Sequence, residues 1–182
     1  MNLRPRRAVL AAALLLSLAA CSREGEMRAG GGAVPSINLV DAVGASIGSV
    51  SVREDAGALA ITVDASGMAP GTHGIHLHET GRCEGPKFAT AGGHWNPAMK
   101  KHGRDNPEGA HLGDLANLEV GAAGKATASF SVAGAMLASG ALVLADGDGT
   151  ALVIHAKADD YKTDPSGASG DRIACAVLAP PR

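Results

Sequence analysis

From residue 36 onward the apolar residues never settle into a helical period. They come as short runs, or alternate with polar neighbours, and each run stops at a turn signal. A strand turns successive side chains to opposite faces, so brief alternating segments between turn formers are the pattern of half-buried strands. Read this way, strands are expected at 36–43, 48–53, 59–65, 74–79, 114–120, 126–132, 141–145, 151–156 and 173–178. Turns fall at Glu54-Asp55-Ala56-Gly57, Ala122-Ala123-Gly124 and Asp146-Gly147-Asp148-Gly149. The 25 glycines and 9 prolines argue against long helices. At 46% hydrophobic residues a sizeable core is available, but the only aromatic residues are Phe88, Trp95, Phe130 and Tyr161. The core must therefore be built from Val, Ile, Leu and Ala, in an all-β sandwich or barrel.

Two stretches, 80–112 and 157–171, are rich in Gly, Pro and polar residues and do not read as strands. Loops this long inside a compact domain are usually functional. The formal charge of −2, from 16 basic and 18 acidic residues, offers no basic excess for nucleic acid. No apolar run approaches the roughly 18 residues needed to span a bilayer.

At the start, Arg4, Arg6 and Arg7 precede an apolar stretch over 8–20, the charged and hydrophobic regions of an export signal. It ends Leu18-Ala19-Ala20-Cys21, which resembles a bacterial lipoprotein signal and implies cleavage before Cys21 and lipid attachment to its thiol. Plain cleavage that leaves Cys21 a bare thiol is the alternative. The expected organisation is a signal over 1–20, a flexible Gly-rich tether over 21–35 and one domain over 36–182. Such a protein is exported to the periplasmic side and held on a membrane. Ser22 after Cys21 resembles outer-membrane sorting. With Cys21 lipidated, Cys83 and Cys175 remain as an even pair in an oxidising compartment, where a disulfide is expected rather than two thiols. It would close a loop of about 92 residues and stabilise by roughly 4–5 kcal/mol on the chain-entropy model.

Six of the seven histidines lie between residues 73 and 111. His76 and His78 are two apart on an expected strand, so both leave the same face and can address one ion. His94, His102, His111 and Asp114 follow in the long loop, and His155 closes a later strand. A lone surface histidine means little, but this clustering points to at least one metal site. Imidazole suits copper and zinc, and a carboxylate in the set favours zinc.

The run Gly71-Thr72-His73-Gly74-Ile75-His76-Leu77-His78 resembles the copper-site signature of the copper/zinc superoxide dismutase family. Gly93-His94-Trp95-Asn96-Pro97, Lys101-His102-Gly103 and His111-Leu112-Gly113-Asp114-Leu115 are similar to its zinc loop, and Gly170-Asp171-Arg172-Ile173-Ala174-Cys175 to its C-terminal signature. The resemblance covers nearly all of the chain from residue 36.

It implies a Greek-key β-sandwich or flattened eight-stranded barrel with a long zinc and disulfide loop and a second active-site loop. Nine strands are read from the residues against its eight. It implies dismutation of superoxide to oxygen and hydrogen peroxide by a redox-cycling copper bridged through His94 to a structural zinc. Copper then falls to His76, His78, His94 and His155, and zinc to His94, His102, His111 and Asp114. His73 matches a structural histidine, Asp159 a carboxylate that orients ligands of both metals, Arg172 the active-site arginine, and Cys83 with Cys175 the intrachain disulfide. Lys87, Lys100 and Lys101 are either solvated charges or part of an attracting field. Trp95 either packs the loop or meets another subunit, and a homodimer stays open. The rival reading is a copper/zinc-binding module of the same fold that buffers or delivers metal without turnover. Such a module would be expected to lack a copper ligand or the arginine, and this chain keeps both.

Overall fold

A computed structural model describes Met1 and residues 35–182. The expected signal, most of the tether and Cys21 lie outside the described residues. Nine strands appear: β1 (Ser36–Asp41), β2 (Ser46–Asp55), β3 (Ala58–Ala65), β4 (Gly71–His73), β5 (Ile75–His78), β6 (Leu118–Val120), β7 (Ala126–Ala133), β8 (Thr150–His155) and β9 (Arg172–Ala179). Among the described residues the sole helical element is a 3-10 turn at Ala89–Ala91. Seven strands form one antiparallel sheet in the order β5-β8-β9-β1-β2-β3-β7, and β4 pairs with β6. The result is an all-β Greek-key fold whose sheet curls into a half-barrel.

The alternation read from the sequence marks the face that the curled sheet buries. Along β3 the buried residues Leu59, Ile61, Val63 and Ala65 alternate with Ala60, Thr62 and Asp64. The core gathers Leu39, Val50, Ile61, Ile75, Leu77, Leu152 and Ile154, with Trp95 the one aromatic buried among them. Trp95 therefore packs the long loop onto the core. Phe88 belongs to a second cluster with Ala91, Ala151, Val153 and Cys175.

Three expected strands differ. The segment at 74–79 shortens to β5, and an unexpected strand, β4, precedes it across Gly74, whose N–H donates to the Lys157 carbonyl (2.7 Å) and whose carbonyl accepts from His155 (2.8 Å). These bonds divert the chain between β4 and β5. The segment at 114–120 shrinks to β6, because the backbone before it serves the histidine cluster: Gly113 donates to the Trp95 carbonyl, and Asn117 to the Tyr161 hydroxyl. No strand forms at 141–145. That apolar run folds back on its own loop, with Met136 donating to Leu142 and Leu144 to Met136, and a lone bridge joins Met136 to Val143.

Two all-buried strands place the site. In β5, Ile75 and Leu77 face the core, so His76 and His78 face the opposite side, beneath the long loop. In β8, Leu152 and Ile154 face the core, Ala151 and Val153 pack under Phe88, and His155 ends the strand. The loop then lies along the outer edge of β5. Leu77 donates to the Gly113 carbonyl (2.9 Å) and accepts from Trp95 (2.8 Å), which sets His94 beside His78 and Asp114 beside His76. A disulfide joins Cys83 in the loop to Cys175 in β9.

Candidate metal centre

The expected ligand residues meet as two sets that share His94. In the first, the nitrogens of His76, His78, His94 and His155 lie within 4.8 Å of one another, and all four residues are buried. In the second, nitrogens of His94, His102 and His111 and a carboxylate oxygen of Asp114 lie within 4.8 Å of one another; the three histidines are buried and Asp114 partly so. The rings of His76 and His94 stack with centroids 4.0 Å apart.

Each ring in the first set has one nitrogen committed and one free, which fixes the tautomer. His76 Nε2 donates to Asp159 Oδ2 (2.9 Å), His78 Nδ1 to the Gly92 carbonyl (3.0 Å) and His155 Nδ1 to the Gly170 carbonyl (3.2 Å). That leaves His76 Nδ1 and the Nε2 atoms of His78, His94 and His155 buried without a hydrogen-bond partner. Four buried, unpartnered nitrogens within 4.8 Å of one another suit a metal ion, and all-imidazole ligation suits copper.

The second set has the spacing of a tetrahedron. Asp114 Oδ1 is 2.9 Å from His94 Nδ1, 3.1 Å from His102 Nδ1 and 3.1 Å from His111 Nδ1. His94 Nδ1 and His111 Nδ1 are 3.3 Å apart. Ligands bound at zinc distances of 2.0–2.1 Å stand about 3.3 Å apart along a tetrahedral edge. His102 Nδ1 is not aligned to hydrogen-bond Asp114 despite its distance, which leaves that nitrogen buried without a partner. The other oxygen of Asp114 accepts from the Gly103 and His111 N–H groups at 2.8 and 3.0 Å, holding the carboxylate still.

Asp159 stands between the sets. Its Oδ2 accepts from His76 and its Oδ1 from His102 Nε2, both at 2.9 Å. Burial holds His76, His78, His94 and His155 below the usual imidazole value, His94 at about 4 and His155 at about 3. They are thus neutral, as ligation requires. Burial opposes charge on His102, but the facing Asp114 and Asp159 carboxylates outweigh it and raise His102 to about 9 in the metal-free chain. Burial opposes charge on both carboxylates as well, yet the facing His102 ring foremost, with His94 at Asp114 and His76 at Asp159, holds them well below the usual range.

A cavity of about 440 Å³ opens on His94, His111, His155, Ser166, Gly170 and Arg172. Arg172, half-buried at the start of β9, donates to the Phe88 carbonyl (2.7 Å) and the Gly92 carbonyl (2.6 Å). A second basin, about 570 Å³, shares Arg172 and Gly170 and has Lys87 on its rim. Lys87, Lys100 and Lys101 are all exposed, and Lys101 lies 3.7 Å from Asp164. His73 stays outside both sets: its nitrogens face the carbonyls of His155 and Ala69 at 2.8 and 3.0 Å. Sequence reasoning did not reach Asn117, Tyr161 and Gly167, which surround Asp159, or the Gly92 carbonyl, which holds His78. Gly92, Tyr161 and Gly167 were marked only by lying in the long polar loops, and Asn117 was read as part of a strand.

A Greek-key sheet carrying two buried ligand sets that share one imidazole defines a dinuclear metalloprotein. Residues 46–178 match the family model described as copper/zinc superoxide dismutase (SODC), and the chain belongs to that family. It is 38% identical over 172 residues to "Superoxide dismutase [Cu-Zn] 2" of Aquifex aeolicus, covering 93% of this chain and 96% of that one. It is 44% identical over 145 residues to the "Superoxide dismutase-like protein YojM" of Bacillus subtilis, covering 78% and 74%. Among solved structures, the Cu/Zn superoxide dismutase of Brucella abortus superposes with a TM-score of 0.64 at 30% identity, over 79% of this chain and 98% of that one. The chain is an oxidoreductase that dismutes superoxide, with copper and zinc as its cofactors.

Proposed function

We propose that copper is held by His76 Nδ1 and the Nε2 atoms of His78, His94 and His155, and zinc by the Nδ1 atoms of His94, His102 and His111 with Asp114 Oδ1. When bound, copper supplies the one-electron exchange that oxidises one superoxide to oxygen and reduces the next to hydrogen peroxide, while redox-inert zinc holds the far side of His94. Arg172 receives the anion; its guanidinium is always charged and is fixed against the cavity wall by two carbonyls. The superoxide that is reduced must take up two protons to leave as hydrogen peroxide, and His94, on the cavity, would hand over one of them from Nε2. Asp159 orients His76 and His102 together, so the two sets are adjusted as one.

The observation that carries this reading is His94, with one ring nitrogen in each set. The test is superoxide dismutation by the copper- and zinc-loaded domain, with His155→Ala alongside. Fast turnover that collapses in the variant is expected. Full metal occupancy without turnover in the parent would leave a metal-binding module instead.

The same reading takes the chain as an exported lipoprotein on the periplasmic side, its domain over 36–182 tethered by 21–35 to a lipid on Cys21, with the outer membrane favoured by Ser22. The arginine-flanked apolar stretch before Cys21 supports it. Cys21→Ser should release the domain into the soluble periplasmic fraction; unchanged membrane retention would refute lipidation. For the fold, the reading is a flattened barrel closed where β6 turns into β7 through Gly121 and Lys125. Slow amide exchange along both strands is expected of a closed ring. Pairing of two copies is the remaining proposal, and sedimentation of the mature domain tests it.

A further inference from the structure

Tyr161 has a φ of 60°, a left-handed conformation that a bulky L residue holds only where its surroundings over-determine it. Four contacts do so. Its N–H donates to Asp159 Oδ1 at 2.6 Å, and its carbonyl accepts from the Asp105 N–H at 3.0 Å. Its hydroxyl accepts from the Asn117 N–H at 2.8 Å. The Arg104 guanidinium lies 3.7 Å from the ring centroid, a cation–π contact.

These partners come from both ends of the zinc-side loop. Arg104 and Asp105 follow His102, and Asn117 follows Asp114. Gly103 packs so closely that a Cβ there would lie 2.0 Å from the Tyr161 carbonyl oxygen. Asn117 also brackets Asp159, donating through Nδ2 to its carbonyl and accepting at Oδ1 from its N–H, both at 2.9 Å. Asp159 is 2% exposed although residues 156–158 and 160 around it are open to solvent. Hydrogen bonds with His76, His102, Asn117 and the Tyr161 N–H hold it inside, and Tyr161 also fastens Asn117 through its hydroxyl.

We propose that Tyr161 is a positioning residue. Latched under Arg104 and onto Asn117, it fixes the Asp159 carboxylate between His76 and His102, and so sets how firmly zinc is held and how the copper ligands are oriented. This rests on the ligand assignment proposed above. Loss of an outer partner of a metal ligand typically weakens metal binding 10- to 100-fold.

The test uses the metal-loaded protein and Tyr161→Ala, Tyr161→Phe and Arg104→Gln, with zinc affinity read by chelator competition and the copper ligand field by electron paramagnetic resonance. Tyr161→Ala should weaken zinc binding about 10- to 100-fold and shift the copper spectrum. Tyr161→Phe and Arg104→Gln should each move both readouts less, in the same direction. Adding Arg104→Gln to Tyr161→Ala should cost no more zinc affinity, since Arg104 acts through the ring. Parental zinc affinity and copper spectrum in folded Tyr161→Ala would overturn the proposal, as would a lowered melting temperature with both unchanged. If Tyr161→Ala does not fold, unchanged readouts in both milder variants overturn it. His111→Ala, run in parallel, separates the layers. Zinc loss there with none in the Tyr161 and Arg104 variants refutes the latch alone, and zinc retention there refutes the ligand assignment and the latch with it.

Discussion

At Gly167 the backbone passes against the two side chains that link the metal sets. A Cβ on it would lie 1.7 Å from Asp159 Oδ1 and 2.7 Å from His102 Nε2, and its φ of +65° is one that L residues avoid. Gly167→Ala must therefore displace the carboxylate or the loop, and the left-handed conformation alone costs roughly 1–2 kcal/mol. A lower melting temperature and reduced zinc content are expected, whereas Gly147→Ala, with nothing within 4 Å, should change neither. The contrast shows where reading the sequence stopped. The ligand side chains were legible because their chemistry is rare and their motifs distinctive. Gly167 is one glycine of 25, and only the close approach of two distant segments gives it a role. His73 marks the same limit from the other side: its type matched the ligands, and its place outside both sets rested on the family pattern.

Among elements, the disulfide and the loop it ties form one unit with β9. Cys83 is joined to Cys175, with Cα atoms 5.7 Å apart, and the carbonyls that hold Arg172 belong to Phe88 and Gly92, a few residues beyond Cys83. Replacing both cysteines by serine should lower stability by roughly 2–5 kcal/mol. Because Arg172 loses a fixed loop to lean on, dismutation should fall while bound copper, measured directly, stays near the parental level. Parental turnover at lowered stability would show that the loop holds Arg172 without the cross-link. Strands such as β2, β3 and β7 were readable because one face meets the core and alternation records it. The run at 141–145 misled because apolar content alone does not say whether a segment packs on a sheet or on its own loop. β6 came out short because ligand loops draw backbone bonds away from the ladder, which depends on contacts far apart in sequence.

For the molecule as a whole, the buried histidines make stability depend on acidity. His94 and His155 fold with values of about 4 and about 3 against 6.5 for the free ring, so the folded state binds fewer protons. In the metal-free domain their contribution is complete above pH 6.5 and is lost as the pH falls towards those values. The depressed carboxylates of Asp114 and Asp159 act in the same sense at lower pH. His102, raised to about 9, works in reverse: its contribution is complete below pH 6.5 and is lost as the pH climbs past about 9. Thermal melts of the metal-free domain should therefore peak near pH 6.5. The loaded enzyme should show a flatter profile down to the pH at which protons displace the metals.

One arrangement matters beyond catalysis. The loop that brings His94 and Asp114 to β5 also occupies that strand's outer edge, where Leu77 exchanges hydrogen bonds with Gly113 and Trp95, and Glu79 donates to Gly93. An uncovered strand edge is a template for another chain. The same stretch of chain therefore has two tasks: it assembles the proposed zinc set, and it covers an edge that, once bared, would offer β5 to neighbouring chains.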